Sequence, residues 1–300
     1  METNPSSKKE VALVLASGGA RGLAHIGAIE VLEEQGYKIH SIAGSSMGAV
    51  IAGVYASGKL PEFKEWMLGL NKRDVFQLLD FTFSLGFVKS ERVFGHVRRI
   101  IGNPKIEDLD FNLCIIATDL ENEKEHVFTQ GDLIHAMRAS TAYPTIITPA
   151  MHDDRFLVDG GVLNPLPLNR VKRKNADILL AVDLGAKITY HHPFERNMEE
   201  KEENSTAFTM AYRTFRKYFS DKSKKDEKEK WSYFKLVTET INVMHNRLNE
   251  MALENHKPDI VVPISFKAAD TFEFYRAKEL IEYGRQQCIA ALKEYEKNQQ

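Results

Sequence analysis

VALVLASGGARGLAHIGAIEVLEEQGYKIHSIAGSSMGAVIAGVYASG, residues Val11 to Gly58, decides the fold. It opens with a short apolar run, Val11 to Ala16, which is typical of a strand buried on both faces. A Gly-rich loop and a helical pattern ending near Gly36 follow. The same order then repeats through a second strand, His40 to Ala43, and a second helix. This strand–loop–helix–strand–loop–helix order predicts a parallel sheet with flanking helices.

The overall composition excludes several classes of protein. The chain has 300 residues and a formal net charge of −2, which is not the basic balance of a nucleic-acid-binding protein. Its two cysteines are too few for a disulfide framework, so we expect a reducing compartment, the cytoplasm. The polar start METNPSSKKE does not suit a signal peptide, and no apolar run is long enough for a transmembrane helix. We expect no nucleic-acid partner, no metal and no cofactor.

The rest of the chain predicts a single domain, 1–300, with a motif-bearing core of about 11–185. Short apolar runs predict further strands at Phe111 to Asp119, His126 to Thr129, Phe156 to Val158, Ile178 to Asp183 and Ile260 to Ile264. Before the last strand lies a charged insertion of about 190–232, whose stretch DKSKKDEKEK indicates a solvated loop. A C-terminal strand and helix, about 257–297, close the domain.

The five residues GSSMG, Gly44 to Gly48, lie between the second strand and the second helix. G-x-S-x-G at such a junction is the signature of a nucleophile elbow, in which a sharp turn exposes the central serine. The spacing selects Ser46 over Ser45, and the N-terminus of the helix favours negative charge that develops there. The flanking glycines, Gly44 and Gly48, let the neighbouring backbone pass closely. A Gly/Ser-rich turn without catalytic function is the alternative interpretation.

The loop SGGARG, Ser17 to Gly22, also joins a strand to a helix. It departs from the dinucleotide-binding fingerprint because a serine replaces the first glycine and no acidic residue ends the second strand. Successive amides at a helix start suit an oxyanion hole instead. These amides belong to Gly18, Gly19, Arg21 and Gly22. Loops after adjacent parallel strands open at the same sheet edge, so we expect this loop beside Ser46. A tight connection that needs glycine for packing is the other interpretation.

A nucleophilic serine needs a proton acceptor, and the later histidines do not suit that role. None follows a buried strand into a glycine-containing turn, so we expect each to be a surface or helix residue. These histidines are His191, His192, His245 and His256. The stretch FLVDGG ends a strand with Asp159, Gly160 and Gly161. This arrangement can present a catalytic carboxylate, but Asp–Gly is also ordinary turn chemistry.

Four motifs, in this order, resemble the patatin-like phospholipase family: LASGGARGLAHIGAIEVLEEQG, GSSMG, RASTAYPTIITP and LVDGGVLNPLP. The resemblance covers about Val11 to Leu184. It implies an α/β fold of three layers, α/β/α, with a mostly parallel central sheet, and a Ser–Asp dyad without histidine. Ser46 matches the family's nucleophile, Asp159 its proton acceptor and the SGGARG loop its oxyanion loop. Ala16 and Ser17 depart from the family, where many members have further glycines, but we expect Ser17 still to offer its N–H.

The resemblance implies a serine acyl hydrolase that cleaves fatty-acyl esters of phospholipids or lysophospholipids through an acyl-enzyme intermediate. A lipid acyltransferase of the same fold and a non-catalytic lipid-binding protein stay open. The apolar segment 61–87 is either core or an acyl-chain groove. An aromatic stripe with basic neighbours is either a peripheral membrane contact or a helix docked on the domain. The stripe consists of Phe208, Tyr212, Phe215 and Phe219.

Overall fold

The computed structural model describes residues 9–78, 80–81, 88–194 and 233–300. The aromatic stripe and most of the charged insertion therefore lie outside the described residues. The strands are β1 (Glu10–Leu15), β2 (Lys38–Ser45), β3 (Asp80–Phe81), β4 (Val88–Lys89), β5 (Asn112–Asp119), β6 (Lys124–Phe128), β7 (Ala150–His152), β8 (Arg155–Asp159), β9 (Ile178–Ala186) and β10 (Ile260–Ser265).

The helices surround a central sheet. They are α1 (Ala24–Glu34), α2 (Met47–Ala56), α3 (Leu60–Gly69), α4 (Lys72–Leu78), α5 (Glu91–Ile101), α6 (Leu133–Ser140), α7 (Tyr233–His256) and α8 (Ala277–Asn298). Short 3-10 helices follow β1 at Gly19–Leu23 and β8 at Gly160–Val162. No helix among the described residues is long and apolar enough to cross a bilayer.

The central sheet is mixed, with the strand order β10-β9-β1-β2-β5-β8-β7 and β6 paired to β5. The pairs β10–β9, β9–β1, β1–β2 and β2–β5 are parallel, whereas β6, β7 and β8 join in antiparallel pairs. The apolar runs VALVL and ILLAV form β1 and β9 and are buried throughout, as strands in the middle of a covered sheet must be. The predicted three-layer α/β/α fold with a mostly parallel sheet is confirmed.

The opening βαβα unit has the predicted order, with two additions. The Gly-rich loop forms a 3-10 helix rather than an open loop, and α2 begins directly after Ser46. Gly36, after α1, has a φ of 79°, the left-handed conformation that ends many helices and that glycine adopts without steric cost.

Helices α1 and α8 pack closely through two glycines. A Cβ atom at Gly27 would lie 2.0 Å from the carbonyl oxygen of Ile281, and one at Gly284 would lie 2.1 Å from that of Ala24. The thiol of Cys288 donates to the carbonyl oxygen of Ala28 at 3.6 Å across the same contact. The C-terminal helix therefore covers the helix that follows the Gly-rich loop.

Candidate active site

Two strands bring the serine and the aspartate together at the middle of the sheet. Ser45, at the end of β2, is paired with Ile116 of β5. Asp159, at the end of β8, is paired with the next residue of β5, Ala117. Strand β2 runs parallel to β5 and β8 runs antiparallel to it, so their C-terminal ends meet. This register places Ser46 directly beside Asp159.

Ser46 has the strained backbone of a nucleophile elbow. Its φ of 55° and ψ of −122° lie in a region that residues with side chains rarely adopt. Its N–H donates to the hydroxyl of Ser140 at 2.8 Å, and that hydroxyl donates to the carbonyl oxygen of Ile116 at 2.5 Å. Ser140 therefore ties the elbow to β5. Ser46 itself is 7% exposed, so its hydroxyl is reached only through the cleft.

Asp159 accepts a hydrogen bond from the serine hydroxyl. The distance from Ser46 Oγ to Asp159 Oδ2 is 2.6 Å, and the N–H of Gly161 donates to the other carboxylate oxygen at 2.7 Å. Thr118 Oγ1 donates to the carbonyl oxygen of Asp159, which fixes its backbone. Burial raises the pKa of Asp159 to about 7, although the hydrogen bonds that its carboxylate accepts from the Ser46 hydroxyl and the Gly161 N–H act to lower it.

The Gly-rich loop offers fewer free amides than the sequence suggests. The expectation that Ser17 offers its N–H is wrong, because this N–H donates to the carbonyl oxygen of Pro165 at 2.8 Å. The N–H of Ala20 donates to the carbonyl oxygen of Thr271 at 2.9 Å. Among the described residues, the amides of Gly18 and Gly19 have no backbone acceptor outside the 3-10 helix. They are candidates for the oxyanion hole, whose predicted members Gly18, Gly19, Arg21 and Gly22 stay a prediction.

Close packing explains another glycine of the loop. A Cβ atom at Gly22 would lie 2.4 Å from the Cγ of Met47, the residue after the serine. Gly22 therefore lets the loop approach the elbow, which favours the packing interpretation at this position. Met47 opens α2, where a helix has no internal partner for its N–H, so this amide is a further candidate for the oxyanion hole. The general geometry of a nucleophile elbow could have identified this amide from the sequence.

A mostly apolar cleft opens onto Ser46 and Asp159. Its apolar wall comes from α3, α4 and α5, and it includes Phe63, Trp66, Met67, Leu70, Phe94 and Val97. Phe63 and Met67 also belong to the buried core. The described part of the apolar segment 61–87 therefore serves both predicted purposes, since it packs the core and lines a groove.

The late histidines occupy two kinds of position. His191, His192 and His256 are exposed, as expected. His245 is a helix residue, on α7, but it is buried and lines the cleft beside the dyad. The residues that flank His245 in the chain are polar and do not indicate this burial, which depends on contacts with residues far along the chain. Among the described residues no group of His, Cys, Asp or Glu side chains is arranged to hold a metal ion.

Comparisons find several known proteins to which this chain is similar. The family model described as patatin-like phospholipase matches residues 13–171. An uncharacterised NTE family protein of Mycobacterium tuberculosis is 34% identical over 97% of this chain and 93% of its own length. The lysophospholipase nte1 of Neurospora crassa is 31% identical over 59% of this chain, which corresponds to 12% of that protein. The crystal structure of VipD from Legionella pneumophila aligns with 96% of this chain and 67% of its own, at 12% identity and a TM-score of 0.45.

Proposed function

This chain belongs to the patatin-like phospholipase family, and we propose that it is a serine acyl hydrolase acting on fatty-acyl esters of phospholipids or lysophospholipids. The observation that carries the proposal is the 2.6 Å hydrogen bond from Ser46 Oγ to Asp159 Oδ2 at an apolar cleft. The name lysophospholipase of the fungal relative supports a lipid ester as the substrate.

In the first step the Ser46 oxygen attacks the ester carbonyl carbon while Asp159 takes the hydroxyl proton. Negative charge develops on the carbonyl oxygen, and the amides of Gly18, Gly19 and Met47 donate hydrogen bonds to it. The N-terminus of α2 favours the same charge. Protonated Asp159 then gives its proton to the leaving alcohol oxygen, and the acyl group stays on Ser46.

In the second step Asp159 accepts a proton from water, and the resulting hydroxide attacks the acyl carbonyl. The tetrahedral intermediate collapses, Ser46 recovers its proton from Asp159, and a fatty acid leaves. The apolar wall from α3 to α5 accommodates the acyl chain and limits access of water to the dyad.

The raised pKa of Asp159 supports its role as the base. An aspartate with its ordinary pKa near 3.8 is too weak a base to take a proton from a hydroxyl efficiently. With a pKa of about 7 the carboxylate is better matched to a general base at neutral pH. The same burial that costs stability therefore provides the basicity.

The test compares the two neighbouring serines. We expect Ser46→Ala to lose hydrolysis of a lysophospholipid by about 1,000-fold or more, because the nucleophile is absent. Asp159→Asn should lose activity similarly. Ser45→Ala is the matched control, since its hydroxyl is buried and has no partner among the described residues. A fluorophosphonate probe should label the wild type and Ser45→Ala, but Ser46→Ala and Asp159→Asn weakly or not at all. A labelled or active Ser46→Ala protein would refute the assignment.

Product analysis separates hydrolysis from transfer. The wild-type protein is incubated with lysophospholipid, with and without an added acyl-acceptor alcohol. We expect free fatty acid to be the main product in both cases. Predominant acyl transfer to the alcohol would instead identify an acyltransferase using the same serine.

A further inference from the structure

Part of the cleft is polar and has no role in the ester chemistry described above. Tyr143, His245 and Arg21 line the same cleft as Ser46 and Asp159. The rings of Tyr143 and His245 meet edge to face, with centroids 6.5 Å apart. The charge of Arg21 acts on the pKa of both side chains, so the three residues form one group.

His245 lies directly against the dyad loop. Its Cε1 atom is 2.9 Å from the position that a Cβ would take at Gly161, and Asp159 Oδ1 is 3.0 Å from that same point. Burial and the nearby Arg21 charge lower the pKa of His245 to about 4, so the ring is neutral at pH 7. Its Nε2 is buried and has no hydrogen-bond partner in the part of the chain described.

The hydroxyl of Tyr143 is a second buried group without a partner. Tyr143 follows α6, and burial raises the pKa of its hydroxyl, which therefore stays protonated and able to donate. A buried hydroxyl that makes no hydrogen bond loses its hydration without compensation. Two such groups that face one cleft indicate a ligand that supplies the acceptors.

Arg21 adds positive charge to the same place. Its Nη1 donates to the carbonyl oxygen of Phe266 at 2.7 Å, whereas its Nε is buried without a partner. Arg21 forms no ion pair with any described residue, and Asp270, Glu239 and Asp183 favour its charge only from beyond ion-pair distance. A cation placed in this way is costly unless an anion binds beside it.

We propose that Arg21, Tyr143 and His245 bind the phosphate of the substrate headgroup, an inference that rests on ester hydrolysis at Ser46. A phosphate carries negative charge and several acceptor oxygens, which match a guanidinium, a hydroxyl and an imidazole N–H. In a lysophospholipid the phosphate is only a few bonds from the ester that is cleaved. A phosphate subsite beside the dyad therefore fits the length of the glycerol backbone.

The subsite would make the protein selective for phosphate-bearing lipids. A neutral glyceride leaves the three buried groups unpaired, and sites built around hydrogen bonds discriminate strongly against ligands that lack the partner. The subsite thus gives the proposed preference for phospholipids or lysophospholipids a structural basis and disfavours neutral acylglycerols.

The first experiment measures this selectivity. Lysophosphatidylcholine and a monoacylglycerol with the same acyl chain are compared in identical detergent micelles. We expect the ratio of their kcat/KM values to fall about tenfold or more in Tyr143→Phe and in His245→Leu, because neither the new phenyl ring nor the new alkyl group can donate a hydrogen bond to the phosphate. Tyr37→Phe is the matched control, since Tyr37 is also buried but does not line the cleft.

The second experiment uses inorganic phosphate with the Ser46→Ala protein, so it does not depend on turnover. NMR of the imidazole, assigned with His245→Gln, should show phosphate raising the pKa of His245 from about 4. A selectivity ratio that stays unchanged, whether both activities hold or both fall together, overturns the proposal. A phosphate effect with an unchanged ratio would assign the subsite to free phosphate instead of the headgroup. Failure of hydrolysis at Ser46 would be seen separately, in the Ser46→Ala activity.

Discussion

Ser46 is held in a conformation that costs free energy. A non-glycine residue at a φ of 55° and a ψ of −122° is strained by about 1–3 kcal/mol, and such strain persists only where the surroundings impose it. Ser140 is one of those surroundings, because its hydroxyl joins the N–H of Ser46 to the carbonyl oxygen of Ile116. The strain has a chemical use, since it directs the hydroxyl at Asp159.

The pH dependence of catalysis should report the ionisation of Asp159. Because its carboxylate must be ionised to accept a proton, we expect kcat/KM to rise with pH through about 7 and then level off. The measurement is kcat/KM on a soluble ester from about pH 5 to about pH 9. Ser45→Ala should give the same profile. A midpoint near 4 would contradict the assignment of a buried aspartate as the base.

Individual site residues differed in how far the sequence could predict them. The spacing of GSSMG selects Ser46, because a nucleophile elbow is a local structure. Asp159 follows only from the family resemblance, since Asp–Gly alone indicates a turn. Ser140, Tyr143 and His245 meet the dyad through the sheet register and the docking of α7, which no local pattern encodes. The pairing of the Ser17 amide with Pro165 is hidden for the same reason.

At the scale of the elements, the contact between α1 and α8 fixes the position of α1, the helix that follows the Gly-rich loop. Gly27 and Gly284 let the two helices approach until backbone meets backbone. Such contacts have no room for an added methyl group, because the atoms on the far side belong to the main chain rather than to a flexible side chain.

Two glycine substitutions should therefore have opposite effects on stability. Gly284→Ala places a Cβ 2.1 Å from the carbonyl oxygen of Ala24, and we expect it to lower the free energy of unfolding by about 1–3 kcal/mol. Gly95→Ala, within α5, meets nothing within 4 Å and should raise it by about 0.5–1 kcal/mol. Urea denaturation of both variants is the measurement. Equal effects of the same sign would contradict the close packing.

Most central elements follow from the sequence, while the peripheral ones do not. Continuous apolar runs predict β1 and β9, because strands covered on both faces must be apolar along their whole length. Strand β7, of sequence AMH, is too short to be distinguished from a loop. Whether the segment that forms α3 and α4 lines a cleft or fills the core is decided by its packing against α5, not by its own pattern.

On the scale of the whole molecule, buried ionisable groups change the stability in opposite directions over the same range of pH, between about 4 and about 7. His25 and His245 are buried, and folding lowers their pKa values from 6.5 to about 4. The unfolded chain therefore binds protons at these histidines before the folded one does, and the free energy of unfolding falls as pH falls through this range. Asp159 acts in the opposite direction. Its pKa rises from 3.8 to about 7, so the folded state loses stability as pH rises through that interval.

Replacing the proposed base should therefore stabilise the fold at alkaline pH. At about pH 8 we expect Asp159→Asn to have a higher Tm than the wild type, because it removes a buried charge worth on the order of a few kcal/mol. Near pH 5 the difference should shrink, since Asp159 is then protonated. Asp108→Asn, at an exposed position, is the control and should change little at either pH. A destabilised Asp159→Asn protein at pH 8 would contradict the raised pKa.

The meeting of β2 and β8 on adjacent residues of β5 has a practical consequence. A slip of one residue in the pairing of β8 would turn the Asp159 side chain to the opposite face of the sheet. A molecule with that error would keep its helices and its sheet, and spectra of secondary structure would not detect it. The molar fraction of a preparation that reacts with a serine-directed reagent is therefore a direct count of molecules assembled in the correct register.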